Sequence, residues 1–560
     1  MISKEKREHI TLIFIVFIIF YFLLIYRLYN IQVLQQGKYK ELARQEHLTS
    51  LSIDGERGNI YDRNLNKLAL NVPTKSLFAI PFKIKNPLDA ARKISSILNL
   101  KSDDVFDKLT QKKSFVWIKR KCEDCEVSDI NNLKIDGLHF LNENKRYYPN
   151  KKLASNLIGF VGIDNQGLEG LELFFENTLK SIPGLAILER DASGGKIPLS
   201  IKKSNESKNG ESIVLTIDNV IQYITEEALD KAFKKAKAKA GIAIVTEPKT
   251  GEILAMAVRP TFDPNSFHHF SRDLWRNRAI TDVYEPGSTF KIVTISSALE
   301  EKVANLDNQF NCKGWIKYNG HVFHDIHIHH EQDLTDIVKN SCNIGVIQVG
   351  TRLKESVFEK YIRRFGFGAL TDIELPGEII GLVRNAKEWS KISLASLSIG
   401  QEISVTPLQL IMGISSIANQ GTLMKPMIIK EILDSNNNKV KVFKPKPVRK
   451  VVSSETAFTM SKILEQVVLD GTGISAIIPG YRIAGKTGTA QKFDISLGKY
   501  SDDKYNSWFV GYVPVENPKL SILVLIDEPI GSYYGGTVAA PVFREIASKA
   551  LPYLSIPPEN

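Results

Sequence analysis

The sequence predicts an α+β protein whose core is an antiparallel sheet with helices packed against it. Two groups of segments carry that reading. "IVLTIDNVIQYITEEALDKAFKKAKA" is a short strand running into a helix, and "AGIAIVTEP" and "GEILAMAV" follow as two apolar runs joined around residues 249–251, the pattern of a β-hairpin. Near the other end "SWFVGYVP" and "LSILVLIDEP" supply further strands and "APVFREIASKAL" a closing helix. At 560 residues, with 43% hydrophobic and 24% charged content, the chain exceeds a typical single domain and has ample core. Two or more folded units are therefore expected.

The first element is an apolar run. Residues 10–26, "ITLIFIVFIIFYFLLIY", carry no charge, and Leu28 and Tyr29 extend the run past Arg27, which can snorkel to an interface. A helix over 10–28 would be about 28 Å long, close to the hydrocarbon thickness of a bilayer. Lys4, Lys6 and Arg7 in the preceding nine residues place the amino terminus in the cytoplasm and the remainder outside. A cleaved signal peptide is the competing reading, but its apolar region is normally shorter and no small-x-small site follows Tyr29. The membrane also accounts for the net charge of +11, since no aromatic-interleaved basic box, zinc-finger spacing or recognition-helix pattern supports nucleic acid. Four cysteines are too few for a disulfide scaffold. Cys122-x-x-Cys125 is a local disulfide or two ordinary thiols, with a redox or metal role as the alternative.

Between the anchor and about residue 210 the pattern mixes strands, helices and polar turns, and "IKKSNESKNGES" at 201–212 reads as an exposed boundary. The expected division is a cytoplasmic tail at 1–9, a transmembrane anchor at 10–28, a first folded region at 29–210 and a second at 211–560. No internal repeat interrupts it.

The chemistry is sought in Ser-x-x-Lys pairs, of which six occur, starting at Ser3, Ser193, Ser200, Ser288, Ser496 and Ser501. A nucleophilic serine needs a base, a rigid mount and donors for the oxyanion. Only Ser288 has a mount, because Pro286 and Gly287 end a turn and "STFKIVTISSALE" continues as a helix with Phe290, Ile292, Val293, Ile295 and Leu299 to bury it. Positions i and i+3 share a helix face, so Lys291 can reach the Ser288 hydroxyl. The positive end of the helix dipole lowers the lysine's proton affinity. On this segment alone an N-cap serine with a solvated lysine fits equally well.

Two more motifs choose between those readings. "NSCNIG" gives Ser341-x-Asn343 after a helix-like "LTDIVKN", and "IAGKTGTAQ" gives Lys486-Thr487-Gly488-Thr489 on an apolar strand. Decoys exist for each, at Ser435-x-Asn437 in "DSNNNK" and at Lys249-Thr250-Gly251 in the hairpin turn. Order and mounting separate them. A helix-mounted Ser-x-x-Lys, then Ser-x-Asn, then Lys-Thr-Gly on a strand resembles the motif set of penicillin-binding proteins and class A β-lactamases.

The resemblance extends over nearly the whole chain and is to class B penicillin-binding proteins. "RGNIYDRNLNKLAL" from Arg57 is similar to a family segment near the start of the non-catalytic pedestal, departing at Leu65, where glycine is usual. "RYYPNKKLASNLIGFVGIDNQGLEGLE" from Arg146 is similar to the segment that closes it. "ITDVYEPGSTFK", "SIGQEISVTPLQL" and "YYGGTVAAPVF" resemble the septal, cell-division type rather than the elongation type. No segment before residue 210 resembles a glycosyltransferase module.

The resemblance implies an elongated pedestal ahead of a transpeptidase domain, and an enzyme that cross-links peptidoglycan stem peptides through a serine acyl-enzyme. Ser288 would attack the carbonyl, Lys291 accept its proton, and Ser341 pass a proton to the leaving amine. Asn343 would hold the substrate amide and Lys291. Lys486 would supply a positive field, Thr487 and Thr489 would bind the substrate carboxylate, and Gly488 would let the peptide lie along the strand edge. The backbone N–H groups of Ser288 and Thr489 would form the oxyanion hole. Expected partners are a D-Ala-D-Ala donor peptide, an amine acceptor, β-lactams, a polytopic glycosyltransferase and division-complex proteins. Neither a cofactor nor a metal is implied, although His321, His324, His327, His329 and His330 raise the question of one. A carboxypeptidase or β-lactam hydrolase sharing the motifs, an elongation-type enzyme and a division scaffold are the alternatives.

Overall fold

The computed structural model describes residues 4–40, 48–53, 55–113, 115–189, 202–205, 207–494 and 498–558. Ser3, Ser193, Ser200 and Ser496, four of the serines weighed against Ser288, lie outside the described residues, as does part of the 201–212 boundary segment. The first helix, α1, runs Lys4–Tyr29. It exceeds the apolar 10–28 stretch because the lysine, glutamate and arginine residues ahead of it are themselves good helix formers. Its apolar side chains are exposed on every side. A helix apolar all round and exposed along its length fits a single membrane-spanning anchor.

The chain divides into two compact units, one of residues 1–56, 76–141 and 181–209, the other of residues 57–75, 142–180 and 210–560. In the first, helices Pro87–Leu98, Ser102–Leu109 and Asp124–Asn132 surround strand Val116–Cys122. Ala91, Ile94, Val105, Leu109 and Ile118 form their common core. Helix Pro87–Leu98 has proline in its first turn, an Asn86 cap that accepts from Asp89 N and an exit through Asn99 at φ +52°. A three-stranded antiparallel sheet in the same unit joins Leu48–Ile53, Gly184–Glu189 and Lys202–Asn205.

The second unit carries the three motifs. Helix α2 (Asn219–Lys235) is capped by Asp218, which accepts from Val220 N and Ile221 N. Strands β1 (Ala240–Thr246) and β2 (Ile253–Arg259) form the expected hairpin. Helices α3 (Lys291–Glu300), α4 (Asn343–Gly350), α5 (Pro407–Ala418) and α6 (Ser454–Asp470) follow. Strands β3 (Ala484–Asp494), β4 (Lys499–Val513) and β5 (Leu520–Asp527) and helix α7 (Ala540–Tyr553) complete it. The sheet order is β2-β1-β5-β4-β3, all antiparallel, with β3 at an edge.

The apolar run of β5 is continuous because both faces of the sheet are covered. Ile522, Val524 and Ile526 face a cluster with α2 and α7, while Leu523 and Leu525 face one containing α5 and α6. Helix α5, with a Thr406/Gln409 capping box and Pro407 at its first position, has every residue buried.

Leu65, where the sequence departs from the family pattern, keeps the turn that a glycine would favour. It sits at φ +65° and is 60% exposed, in a turn in which Asp62 accepts from Asn64 N and Asn66 N at 2.8 Å each. A left-handed leucine costs ~1–2 kcal/mol, partly offset by the greater unfolded-state freedom of glycine. Leu65→Gly is therefore expected to stabilise the protein by roughly 0.5–1 kcal/mol, read as a raised denaturation midpoint. An unchanged or lowered midpoint would contradict this.

The two family-like segments meet in the second unit at a buried carboxylate. Glu172 accepts from Arg57 Nε at 2.6 Å, Arg146 Nε at 2.7 Å and Tyr148 OH at 3.2 Å. Arg57 also reaches Glu176 at 2.6 Å. Burial alone would push the Glu172 carboxyl up, but the two guanidiniums hold it below the usual carboxylate range.

Candidate active site

The Ser288 turn is built by close backbone approach. Gly287, at φ +53°, opens a short 3₁₀ turn, Gly287–Phe290, from which α3 begins at Lys291. A Cβ on Gly287 would lie 3.0 Å from Ala490 Cβ, and one on Gly488 only 2.8 Å from Thr289 Cγ2, so these glycines let the turn lie against the edge strand β3. Gly287 N donates to Gly400 O at 3.1 Å, and Thr289 Oγ1 to Pro286 O at 2.7 Å. Phe290, Ile292, Val293 and Ile295 are fully buried, which fixes the helix. Ser288 is half-buried at its mouth.

Three motifs distant in sequence converge here on two buried amines. Lys291 and Lys486 are both 0% exposed. Lys291 Nζ donates to Ser341 O at 2.5 Å and Asn343 Oδ1 at 2.8 Å, with Ser341 Oγ at 3.4 Å. Lys486 Nζ lies 2.9 Å from the same Ser341 Oγ and 3.1 Å from Thr487 O. Ser341 itself holds φ +58°, a left-handed conformation sustained by these contacts. Thr487 Oγ1 pairs with Thr472 Oγ1 at 2.8 Å, and Thr489 Oγ1 accepts from Gly535 N at 3.1 Å.

The sequence reading has Lys291 reaching the Ser288 hydroxyl. Among the described residues no hydrogen bond joins them, and Lys291 is instead bound to Ser341 and Asn343. The amine's contacts are taken up by Ser341 O and Asn343 Oδ1, while Ser288 lies in the 3₁₀ turn just before α3. The lowered proton affinity of Lys291 also has a different main source. Burial pushes it down to about 8, against the opposing pull of the Asp325 carboxylate. Burial, then the charge of Lys291, pushes Lys486 well below the ordinary lysine range.

The rival motifs separate by placement. Ser501 and Lys504 sit on strand β4, where i and i+3 face opposite sides, and Ser501 Oγ donates to Asp503 at 2.6 Å. Lys249 is exposed in the hairpin turn and donates to Asn517 at 2.6 Å. Asn437 sits at φ +63° in an exposed turn closed by Asp434.

Asp325 was hidden by its histidine neighbours. Its Oδ2 accepts from Asn343 N at 2.7 Å and Ile344 N at 3.3 Å, seating the first turn of α4 and with it the Ser341–Asn343 motif. Burial would raise its carboxyl, but hydrogen bonds from Cys342 and the backbone, together with Lys291, hold it below the usual range. His321, His324, His327 and His330 are exposed, and His329 is half-buried. The group of three potential metal donors found among the described residues contains none of them; it joins Cys312, Asp325 and Cys342 within 4.8 Å. Cys342 is fully buried and caps α4 by accepting from Gly345 N at 3.2 Å, and burial and Asp325 push its thiol up. That makes it a packed cap rather than a second nucleophile. No disulfide joins Cys122 and Cys125, the first buried and the second exposed.

Comparison with known proteins gives two family matches. Residues 241–548 match the penicillin binding protein transpeptidase domain, and residues 52–215 the penicillin-binding protein dimerisation domain. Stage V sporulation protein D of Bacillus subtilis is 37% identical over 543 residues, covering 95% of this chain and 84% of that protein. The peptidoglycan D,D-transpeptidase FtsI of Escherichia coli is 33% identical over 536 residues, covering 94% and 87%. The crystal structure of penicillin binding protein 3 from Mycobacterium tuberculosis aligns with TM-score 0.72 at 29% identity, covering 91% of this chain and 98% of that one.

Proposed function

The chain belongs to the class B penicillin-binding proteins, serine-type peptidoglycan D,D-transpeptidases, and from that premise we propose that it cross-links stem peptides during septal wall synthesis through Ser288. The observation that carries the reading is one hydroxyl, Ser341 Oγ, held between two fully buried amines beside the Ser288 turn.

Two ammonium groups sharing one hydroxyl in a buried site repel, so one amine of the pair is readily neutral. Lys291, next to the nucleophile, takes the Ser288 proton as Oγ attacks the carbonyl carbon of the penultimate D-Ala. Backbone N–H groups of Ser288 and Thr489 hold the oxyanion. Ser341 relays the proton to the amine of the departing D-Ala, the C–N bond breaks, and an ester to Ser288 remains. An acceptor amine then attacks the ester carbonyl, the C–O bond breaks, and Ser288 recovers its proton. Asn343 keeps Lys291 oriented, and Lys486, Thr487 and Thr489 receive the terminal carboxylate along the β3 edge, which Gly488 keeps open. β-Lactams acylate the same serine.

Only the base form of Lys291 accepts the proton, so the acylation rate is expected to rise as pH increases through about 8. The check is the second-order constant for a fluorescent penicillin between about pH 6 and pH 9.5. A flat profile would contradict the assignment.

We assign residues 29–210 to the pedestal and 211–560 to the transpeptidase domain, with α1 as a single-pass anchor whose amino terminus is cytoplasmic. Lys4, Lys6 and Arg7 support that orientation. A polytopic glycosyltransferase and the division complex are the expected partners. Purified protein should release D-Ala from a pentapeptide donor and join the remainder to an amine acceptor, whereas net hydrolysis would favour the carboxypeptidase alternative. Depletion should give filamentous cells; rounded cells would assign the elongation role, and normal division by a Ser288→Ala strain would favour the scaffold.

A further inference from the structure

Three residues before Ser288, Glu285 is tied to two separate elements. Its Oε1 accepts from Tyr500 OH on β4 at 3.0 Å and from Glu402 N at 3.1 Å. Its backbone carbonyl accepts from Trp508 Nε1 at 3.2 Å. Its Oε2 is buried without a partner among the described residues. The segment it belongs to is strapped to residues 400–405 by a reciprocal pair, Tyr284 N to Val405 O and Val405 N to Tyr284 O, and by Gly287 N to Gly400 O.

We propose that Glu285 is a positioning residue for acyl transfer, one carboxylate oxygen joining the Ser288 turn to the 400–405 segment and, through Tyr500, to the outer end of the β3–β4 hairpin that carries Lys486–Thr489. The inference rests on Ser288 being the acylated residue. The turn and the hairpin must keep a fixed separation, because the nucleophile and one oxyanion donor lie on the turn and the other donor on β3. Glu285 bridges them by a side-chain hydrogen bond from the nucleophile's own segment, beside the edge-on contact of Tyr284 with Trp508 at 5.9 Å between ring centroids.

The alternative, a carboxylate that only fills space, does not account for the convergence of two donors on one oxygen while the other oxygen is buried alone. Groups facing it are Tyr500 from β4 and Glu402 from the 400–405 segment, the Glu402 carboxylate being itself engaged by Arg384 and Ser393. No cation contacts Glu285 among the described residues. Burial accordingly pushes its carboxyl up to about 7 in spite of the Tyr500 and Glu402 hydrogen bonds. Hydrogen bonds to an ionised acceptor are shorter and stronger, so the tie tightens as the carboxyl loses its proton.

The test compares acylation of the full chain by a fluorescent penicillin in wild type, Glu285→Gln, Glu285→Ala and Tyr500→Phe, with folding checked by thermal denaturation. Loss of positioning is expected to slow Glu285→Ala by about 10- to 100-fold. Tyr500→Phe should slow acylation less, and adding it to Glu285→Ala should cost nothing further. Glu285→Gln, which keeps the acceptor but cannot ionise, should match the rate of the protonated wild type and show a single rise near pH 8, without the additional rise near 7 expected of wild type. Should Glu285→Ala not fold, the Gln and Phe variants still decide the matter. A Gln variant with the wild-type profile and a Phe variant with the wild-type rate would overturn the proposal. Wild-type protein forming no adduct would instead overturn the site reading beneath it.

Discussion

Replacing Lys291 by alanine is expected to lower the acylation rate of Ser288 by about 10²–10⁴-fold, the span that a positioned general base contributes. The structure makes the loss specific to the base. Lys291 is fully buried, with its amine fixed by Ser341 and Asn343, so no solvent-exposed lysine can take its place. Removing it also relieves the repulsion on Lys486, whose proton affinity should rise in part, burial remaining the larger cause of its lowering. The measurement is the second-order constant for a β-lactam by stopped or quenched mixing, alongside a thermal melt to establish folding. A folded Lys291→Ala variant that acylates within a few fold of wild type would remove Lys291 from the mechanism.

The second large effect is on stability. Glu172→Ala leaves Arg57 and Arg146 buried with their shared carboxylate gone, and Arg146 Nη2 already has no partner among the described residues. Breaking a buried ion pair from one side costs about 3–5 kcal/mol. The expected readout is a strongly lowered unfolding midpoint, with Tyr148 also losing its acceptor. The pH dependence follows from the sign of the shift. Because Glu172 titrates below its unfolded value when folded, its stabilisation is present above that unfolded value and is lost as pH falls through the lower folded one. Wild type should therefore lose more stability on acidification than the variant. Equal acid sensitivity would contradict the network's role.

Much of this was legible in the sequence because the signals are local. The continuous apolar run in "LSILVLID" feeds two cores on opposite faces of one strand, and the Ser288 segment announces its own helix through Phe290, Ile292, Val293 and Ile295. The three motifs were legible as a set by order and mounting. Their convergence on Ser341 Oγ spans 145 residues between Ser341 and Lys486, which no periodicity reports. Asp325 and Thr472 stand outside any motif, and each is a single residue whose partner lies in another element, Asn343 N 18 residues on for one and Thr487 Oγ1 15 residues on for the other. Glu285 was in plain view within "VYEPGSTFK", but its weight comes from Tyr500, 215 residues on. The electrostatics were half-read. The helix dipole gives the correct direction for Lys291, whereas burial, which a sequence does not display, is the larger cause and acts on Lys486 as well.

The central claim is that Ser288, and no other residue, carries the acyl group. Labelling membranes with a fluorescent β-lactam, digesting the protein and locating the adduct by peptide mass spectrometry tests it directly. The expected result is one adduct, on the peptide containing Ser288, absent from a Ser288→Ala protein. An adduct on any other residue, or none on folded protein, would contradict the account.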